Sequence, residues 1–211
     1  MKGLFIHSAC GLLLLTVAGC LSPRSSTEEV HTYQLSLDGW SSEAQSGKKF
    51  DGPVLLVSEP QPEPGFETQR MVYLKRPYEL EYYAVNQWAE TPVRMLTPLM
   101  VQVFNRTGVW RAVIPLPNSI QGDYRLDTYG FLIQQEFQQQ PSRVKVMVRA
   151  QLVDLNASTI LGIRAFEVME NATSDNPYGG VQGANRAVAS LLEQIASWLR
   201  ECTKHSPECR R

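Results

Sequence analysis

Histidine, cysteine and net charge are all scarce in this chain of 211 residues, and each scarcity excludes a class of function. The 20 basic and 21 acidic residues leave a formal charge of −1, so there is no basic excess to neutralise phosphates, and no nucleic-acid or other polyanion partner is expected. Beyond the first 19 residues the only histidines are His31 and His205. No Gly-x-x-x-x-Gly-Lys phosphate loop occurs; Gly47-Lys48 lacks the earlier glycine. No Gly-x-Ser-x-Gly elbow and no His-Glu-x-x-His zinc pair occurs either. Glu79 and Glu81 would point the same way from a strand and read as a solvated face. No catalytic residue, cofactor or metal is therefore expected, and an enzyme remains open only if its groups converge from distant positions. After residue 19 no apolar run is long enough to span a membrane, so the remainder is expected to be soluble.

What is present begins at the amino end. Lys2 is the only charge before Arg24, and an apolar stretch from Leu4 to Ala18 ends in Val17-Ala18-Gly19-Cys20. A basic start, an apolar middle and small residues at the end describe a secretory signal peptide over residues 1–19. Val-Ala-Gly-Cys resembles the bacterial lipobox, in which the cysteine thiol receives a diacylglycerol and becomes the new amino terminus. The alternatives are an ordinary signal peptide with a stray cysteine, or an uncut anchor. Two or three acyl chains, each methylene contributing about 0.8 kcal/mol, would give stable attachment. An aspartate after the cysteine would imply inner-membrane retention in a Gram-negative bacterium. Leu21 instead implies the periplasmic face of the outer membrane.

Removal of the first 19 of 211 residues leaves 192, enough for one domain with a proper core. Residues 20–29 read as a lipidated tether, spanning about 30 Å at roughly 3.3 Å per residue. Residues 30–201 read as the folded domain and 202–211 as a tail. Cys10 leaves with the signal peptide. Cys202 and Cys209 form an even pair in an oxidising compartment, and a disulfide is one reading. Two free thiols on a frayed tail, or a metal site with His205, are the others, although the spacing matches no standard zinc pattern. Asn105, Asn156 and Asn171 each head an Asn-x-Ser/Thr triplet, read here as turn and helix-end chemistry.

Strands are predicted at Val30 to Leu37, by alternation, at Pro53 to Ser58, by the continuous apolar run Val54-Leu55-Leu56-Val57 of a buried strand, and at Gln69 to Leu74, Glu79 to Ala84 and Val109 to Ile114. Three longer ones follow at Leu126 to Phe137, Val144 to Val153 and Leu161 to Val168, with short links that make an antiparallel meander. In the first of these Tyr129, Phe131 and Ile133 share a face, and in the last Leu161, Ile163 and Ala165 do. Glu59 to Gly65, with three prolines, should be an extended loop. Thr91-Pro92 signals a helix start, Thr as N-cap and Pro at the first position, and Gly108 its stop. Asn171 to Gly180 is polar and Gly-rich. From Val181 to Leu199 an apolar stripe marks the strongest helix. The sum is an α+β two-layer sandwich, a largely antiparallel sheet packed by two main helices.

Aromatic residues crowd one stretch: Tyr73, Tyr78, Tyr82, Tyr83 and Trp88. A partner surface is the functional reading, with Arg70, Tyr73, Tyr83 and Trp88 as candidates; packing between hairpin and helix is the structural one. Gly65-Phe66-Glu67-Thr68-Gln69-Arg70-Met71-Val72-Tyr73 and Tyr82-Tyr83-Ala84-x-Asn86-x-Trp88-Ala89-Glu90-x-Pro92 resemble the ABC-type transport auxiliary lipoproteins, which include PqiC-type lipoproteins. The resemblance continues through Asp123-Tyr124-Arg125-Leu126, the region from Val148 to Leu152, and Ala196-Ser197-Trp198, covering Tyr33 to Trp198. It implies a non-catalytic docking subunit of an intermembrane lipid transport system. In such a system an ABC permease and ATPase work with a bridging MCE-domain protein, and this lipoprotein would receive the far end, with a homo-oligomeric ring as one arrangement. The alternative is a stand-alone periplasmic lipoprotein that binds a hydrophobic ligand.

Overall fold

Three long alternating stretches form the middle of the sheet, and the other strands are added along their edges. The computed structural model describes residues 28–37, 51–204 and 209. The expected signal peptide, Cys20, most of the expected tether, the polar segment 39–49 and His205 lie outside the described residues. In chain order the elements are β1 (His31–Tyr33), β2 (Val54–Val57), β3 (Arg70–Leu74), β4 (Glu81–Trp88), α1 (Pro92–Arg106), β5 (Ala112–Pro115), β6 (Tyr124–Glu136), β7 (Arg143–Asp154), β8 (Thr159–Asn171) and α2 (Pro177–Thr203).

β6, β7 and β8 form the expected antiparallel meander. Every even residue of β7 from 144 to 152 is buried, and the register sets Val146 opposite Val168 and Val148 opposite Phe166. Residues opposite one another share a face. Phe166 and Val168 therefore face the helices, and Ile163 and Ala165 are turned the other way, while Leu161, inside the register shift at the start of β8, packs against the core. The expected inward face of β8 is corrected by this pairing. Gly130 produces a similar change of face inside β6. Its φ is +66°, and the ladder to β7 shifts between Tyr129 and Leu132. Leu126 is buried before the bulge and Phe131 and Ile133 after it, so Tyr129 stands on the other face, opposite Arg149.

The expectation of a largely antiparallel sheet is also corrected: the sheet is mixed, and four of its seven strand pairings are parallel. The cause lies on the second edge of β6. β2 lies parallel beside its first residues and β3 parallel beside its last. Between them the proline-rich segment continues along the same edge. The Gln61 and Glu63 N–H groups donate to the Thr128 and Phe131 carbonyls at 2.9 Å each, and the Phe131 N–H donates to the Gln61 carbonyl at 3.0 Å. Pro60, Pro62 and Pro64 occupy the alternate positions, whose N–H groups would point away from β6. The prolines thus leave no donor on the free side, which discourages further pairing there.

Both helices cover one face of the sheet. Leu96, Met100 and Phe104 of α1 meet Leu191, Leu192 and Ile195 of α2 over it, each at most 1 % exposed. Burial of one such side chain contributes about 1.5–3 kcal/mol. A smaller cluster of Phe66, Val72, Leu74 and Leu132 lies apart from this core. α1 starts where Thr91-Pro92 places it, although the Thr91 side chain makes no capping bond; Glu90 Oε1 accepts the Thr91 N–H at 2.8 Å instead. α2 starts earlier than its apolar stripe suggests. Asn176 caps it by accepting the Gly179 N–H at 2.8 Å, and Pro177 is its first residue. Gly180 is needed inside this helix because a Cβ there would run into the Gln135 side chain.

At the other end of α2 the sulfurs of Cys202 and Cys209 are bonded. The Cys209 carbonyl accepts the Trp198 indole N–H at 3.2 Å, holding this end beside the start of β8.

Candidate interaction surfaces

The aromatic stretch is largely absorbed by the scaffold. Trp88 is 3 % exposed, and its N–H donates to the Gln69 carbonyl at 2.7 Å. The Tyr83 hydroxyl donates to Gln135 Oε1 at 3.1 Å, and burial pushes its pKa up. Gln135 in turn donates to Ser142 Oγ at 2.9 Å and to the Asn176 carbonyl at 3.3 Å, and Asp175 accepts the Ser142 N–H at 2.7 Å. This chain of bonds fastens β4, β6 and β7 to the cap of α2. Asn86 accepts the Tyr33 hydroxyl at 3.1 Å, and the Ala89 N–H donates to the Tyr33 carbonyl at 2.6 Å, which together hold β1 against β4. Tyr82 donates to the Gly65 carbonyl at 3.0 Å. Glu90 pairs with Arg94 at 3.2 Å. The motif residues are thus joints between elements.

Of the four candidate partner residues, Arg70 is exposed, Tyr73 and Tyr83 are half-buried and Trp88 is buried. The Arg70 guanidinium lies over the Tyr82 ring, 4.4 Å from its centroid. Tyr73 stacks on Tyr83 at 4.4 Å and donates to Glu81 Oε2 at 2.7 Å. That bond raises the Tyr73 pKa and lowers the Glu81 pKa, and Lys75, 3.2 Å from Glu81, lowers the latter further.

A groove of about 730 Å³, unmarked by any sequence motif, lies between β1 and the first half of α2. Its walls include Tyr33, Gln34, Tyr178, Gln182 and Asn185. Among the described residues β1 is paired on one side only, with β4, so the groove runs along a sheet edge. Asn185 Oδ1 accepts the Ser36 N–H at 2.9 Å and fixes the chain as it leaves β1. An edge with free backbone groups, two aromatic rings and neutral amides can accept an extended peptide as an added strand.

The remaining sequence candidates are placed as follows. His31 is exposed in β1. Asn105 lies in the last turn of α1 and accepts the Val113 N–H at 3.2 Å; Asn156 lies in the β7–β8 turn; Asn171 ends β8. Among the described residues no group of three or more His, Cys, Asp or Glu could hold a metal ion, and no helix is long and apolar enough to cross a membrane.

The fold is therefore a single layer of helices on a forked mixed sheet, with an aromatic stretch that serves as joints and a groove along one edge. This chain matches the family described as the ABC-type transport auxiliary lipoprotein component over residues 33–196, and it belongs to that family. Membership makes it a lipoprotein and an auxiliary component of ABC-type transport. Protein XCC0632 from Xanthomonas campestris, of the DUF330 family, shares the fold with a TM-score of 0.70 and 18 % identity over 83 % of this chain and 96 % of that one. A second solved structure, of an uncharacterized protein, shares it with a TM-score of 0.62 and 14 % identity over 82 % and 99 %. No curated protein matches the chain.

Proposed function

We propose that the chain is held by an acylated Cys20 on the periplasmic face of the outer membrane of a Gram-negative bacterium. There it acts as a non-catalytic docking subunit of an ABC/MCE-type intermembrane lipid transport system. The family match over residues 33–196 carries this reading. The position of Cys20, 11 residues before His31, supports it. An arm of that length reaches about 36 Å at most when fully extended. It holds the domain against the membrane, which suits a subunit that receives a bridge arriving from the other side.

We place the partner contact in the groove beside β1, with an extended segment of the MCE-domain protein adding to the free strand edge. Several copies in a ring about the end of the bridge is the assembly that goes with it. Co-purification from gently solubilised membranes is the test. The expected result is an MCE-domain protein recovered with the wild-type lipoprotein and lost with Gln34→Arg, an exposed groove position. Lipoprotein recovered alone, under conditions that keep the transport complex together, would contradict the docking role. Cys20→Ala should release the protein from the membrane fraction; full retention at the processed mass would contradict the anchor.

A further inference from the structure

Strand registers set one lateral row of residues across five strands. Glu81 lies opposite Tyr73, Leu74 opposite Glu136, Glu136 opposite Arg143, and Arg143 opposite Asn171. Residues 75–80, 137–142 and 172–176 all lie beyond this row, at one end of the sheet. β1 runs parallel to β4 with His31 opposite Asn86, so the chain before His31 leads back toward Glu81 and the same end. The described residues before β1, 28–30, therefore head toward the side of these three turns.

Two of the large exposed apolar side chains lie at this end, Tyr78 fully exposed and Leu80 39 %. Val30, 55 % exposed, lies on the chain that leads toward it. Tyr78 is held at φ 69°, a left-handed conformation that few non-glycine residues adopt, at the tip of the β3–β4 hairpin. The charges around it are paired: Arg76 with Glu79 at 3.9 Å and Lys75 with Glu81 at 3.2 Å. The neighbouring turn presents Gln138, Gln139, Gln140 and Pro141, all exposed and uncharged. Asp175 is occupied by the Ser142 N–H, and Glu28 and Glu29 precede β1. An aromatic ring with a polar tip beside neutral amides suits the headgroup layer of a bilayer.

We propose that this end of the molecule lies on the phospholipid bilayer, with Tyr78 and Leu80 seated among the headgroups as a second contact beside the acyl anchor. The proposal rests on acylation of Cys20. The position of Tyr78→Trp in the full acylated protein reports it. The protein is reconstituted in vesicles of phosphatidylethanolamine and phosphatidylglycerol with brominated acyl chains, and the wild-type emission is subtracted. Ile160→Trp, at the opposite end of the sheet and also exposed, is the control.

The expected result is a blue shift and a loss of emission for Tyr78→Trp, with neither for Ile160→Trp. Equal, unquenched emission from the two positions overturns the proposal while leaving the anchor intact, provided the wild type floats with the vesicles. Failure of the wild type to float removes the anchor and the proposal together. A change at Tyr78→Trp that requires added MCE-domain protein assigns the tip to a protein contact and likewise overturns it.

Discussion

Tyr78 and Trp88 belong to the same hairpin and stand at opposite limits of exposure, 103 % against 3 %. Trp88 sits where β4 hands over to α1, its backbone tied to Gln69, in a core shared with both helices. Tyr78 sits beyond the last ladder pair, with solvent on all sides. Both are aromatic residues in a dense aromatic stretch, and composition alone does not separate them. What separates them is the ladder between β3 and β4, which ends before residue 78 and includes residue 87. One end of the hairpin builds the fold, and the other is free to meet something else.

Four changes test this division. Trp88→Ala should have the largest effect, a loss of about 3–5 kcal/mol in urea unfolding, because a large buried side chain leaves a cavity. A loss below about 1 kcal/mol would return Trp88 to the surface candidates. Gln135→Ala should follow with about 1–3 kcal/mol, since Tyr83 and Ser142 lose their shared partner in a buried site. The same unfolding curves would show it, and Tyr83→Phe should cost less than Gln135→Ala because it removes only one of those bonds.

The third change is in pH. The Asp123 carboxylate accepts the Val54 N–H at 2.8 Å, and that bond, with one from Asn156, holds its pKa below the ordinary 3.8. A carboxyl that binds its proton less tightly when folded stabilises the fold fully above its ordinary pKa. The stabilisation is lost as pH falls through that value toward the folded one. The urea midpoint should therefore fall on acidification below about pH 4, and Asp123→Asn should flatten that part of the profile. An unchanged acid limb in Asp123→Asn would remove Asp123 as the clamp between β2 and β6. Tyr78→Ser should have the smallest effect on stability, within about 0.5 kcal/mol. A larger loss would mean that the tip contributes to the fold.

The parts of the fold that local pattern controls were legible in the sequence. The β6–β7–β8 meander follows from alternation and short links, and α1 begins at its Thr-Pro signal. The parallel half of the sheet was not legible, because β2 and β3 meet β6 across long connections and nothing in either strand names its partner. The faces of β8 were misjudged for a related reason: its parity is set by the register with β7, not by its own apolar residues. Asn176-Pro177 is a start signal of the same kind as Thr91-Pro92. The glycines after it hid the helix, since glycine disfavours helices and the close approach of Gln135 that requires Gly180 is visible only in three dimensions. The recognisable motif from Tyr82 to Pro92 proved to be a set of joints, and the groove beside β1 left no mark in the sequence because Gln34, Gln182 and Asn185 look like ordinary surface.

The central claim is that the groove beside β1 meets the transport partner while the hairpin tip meets the membrane. A photo-crosslinking residue placed at Gln34 or at Tyr78 in intact cells measures both at once, with the captured partners identified by mass. Gln34 should capture an MCE-domain protein, and Tyr78 should not. Capture of that protein from Tyr78 with none from Gln34 would contradict the account.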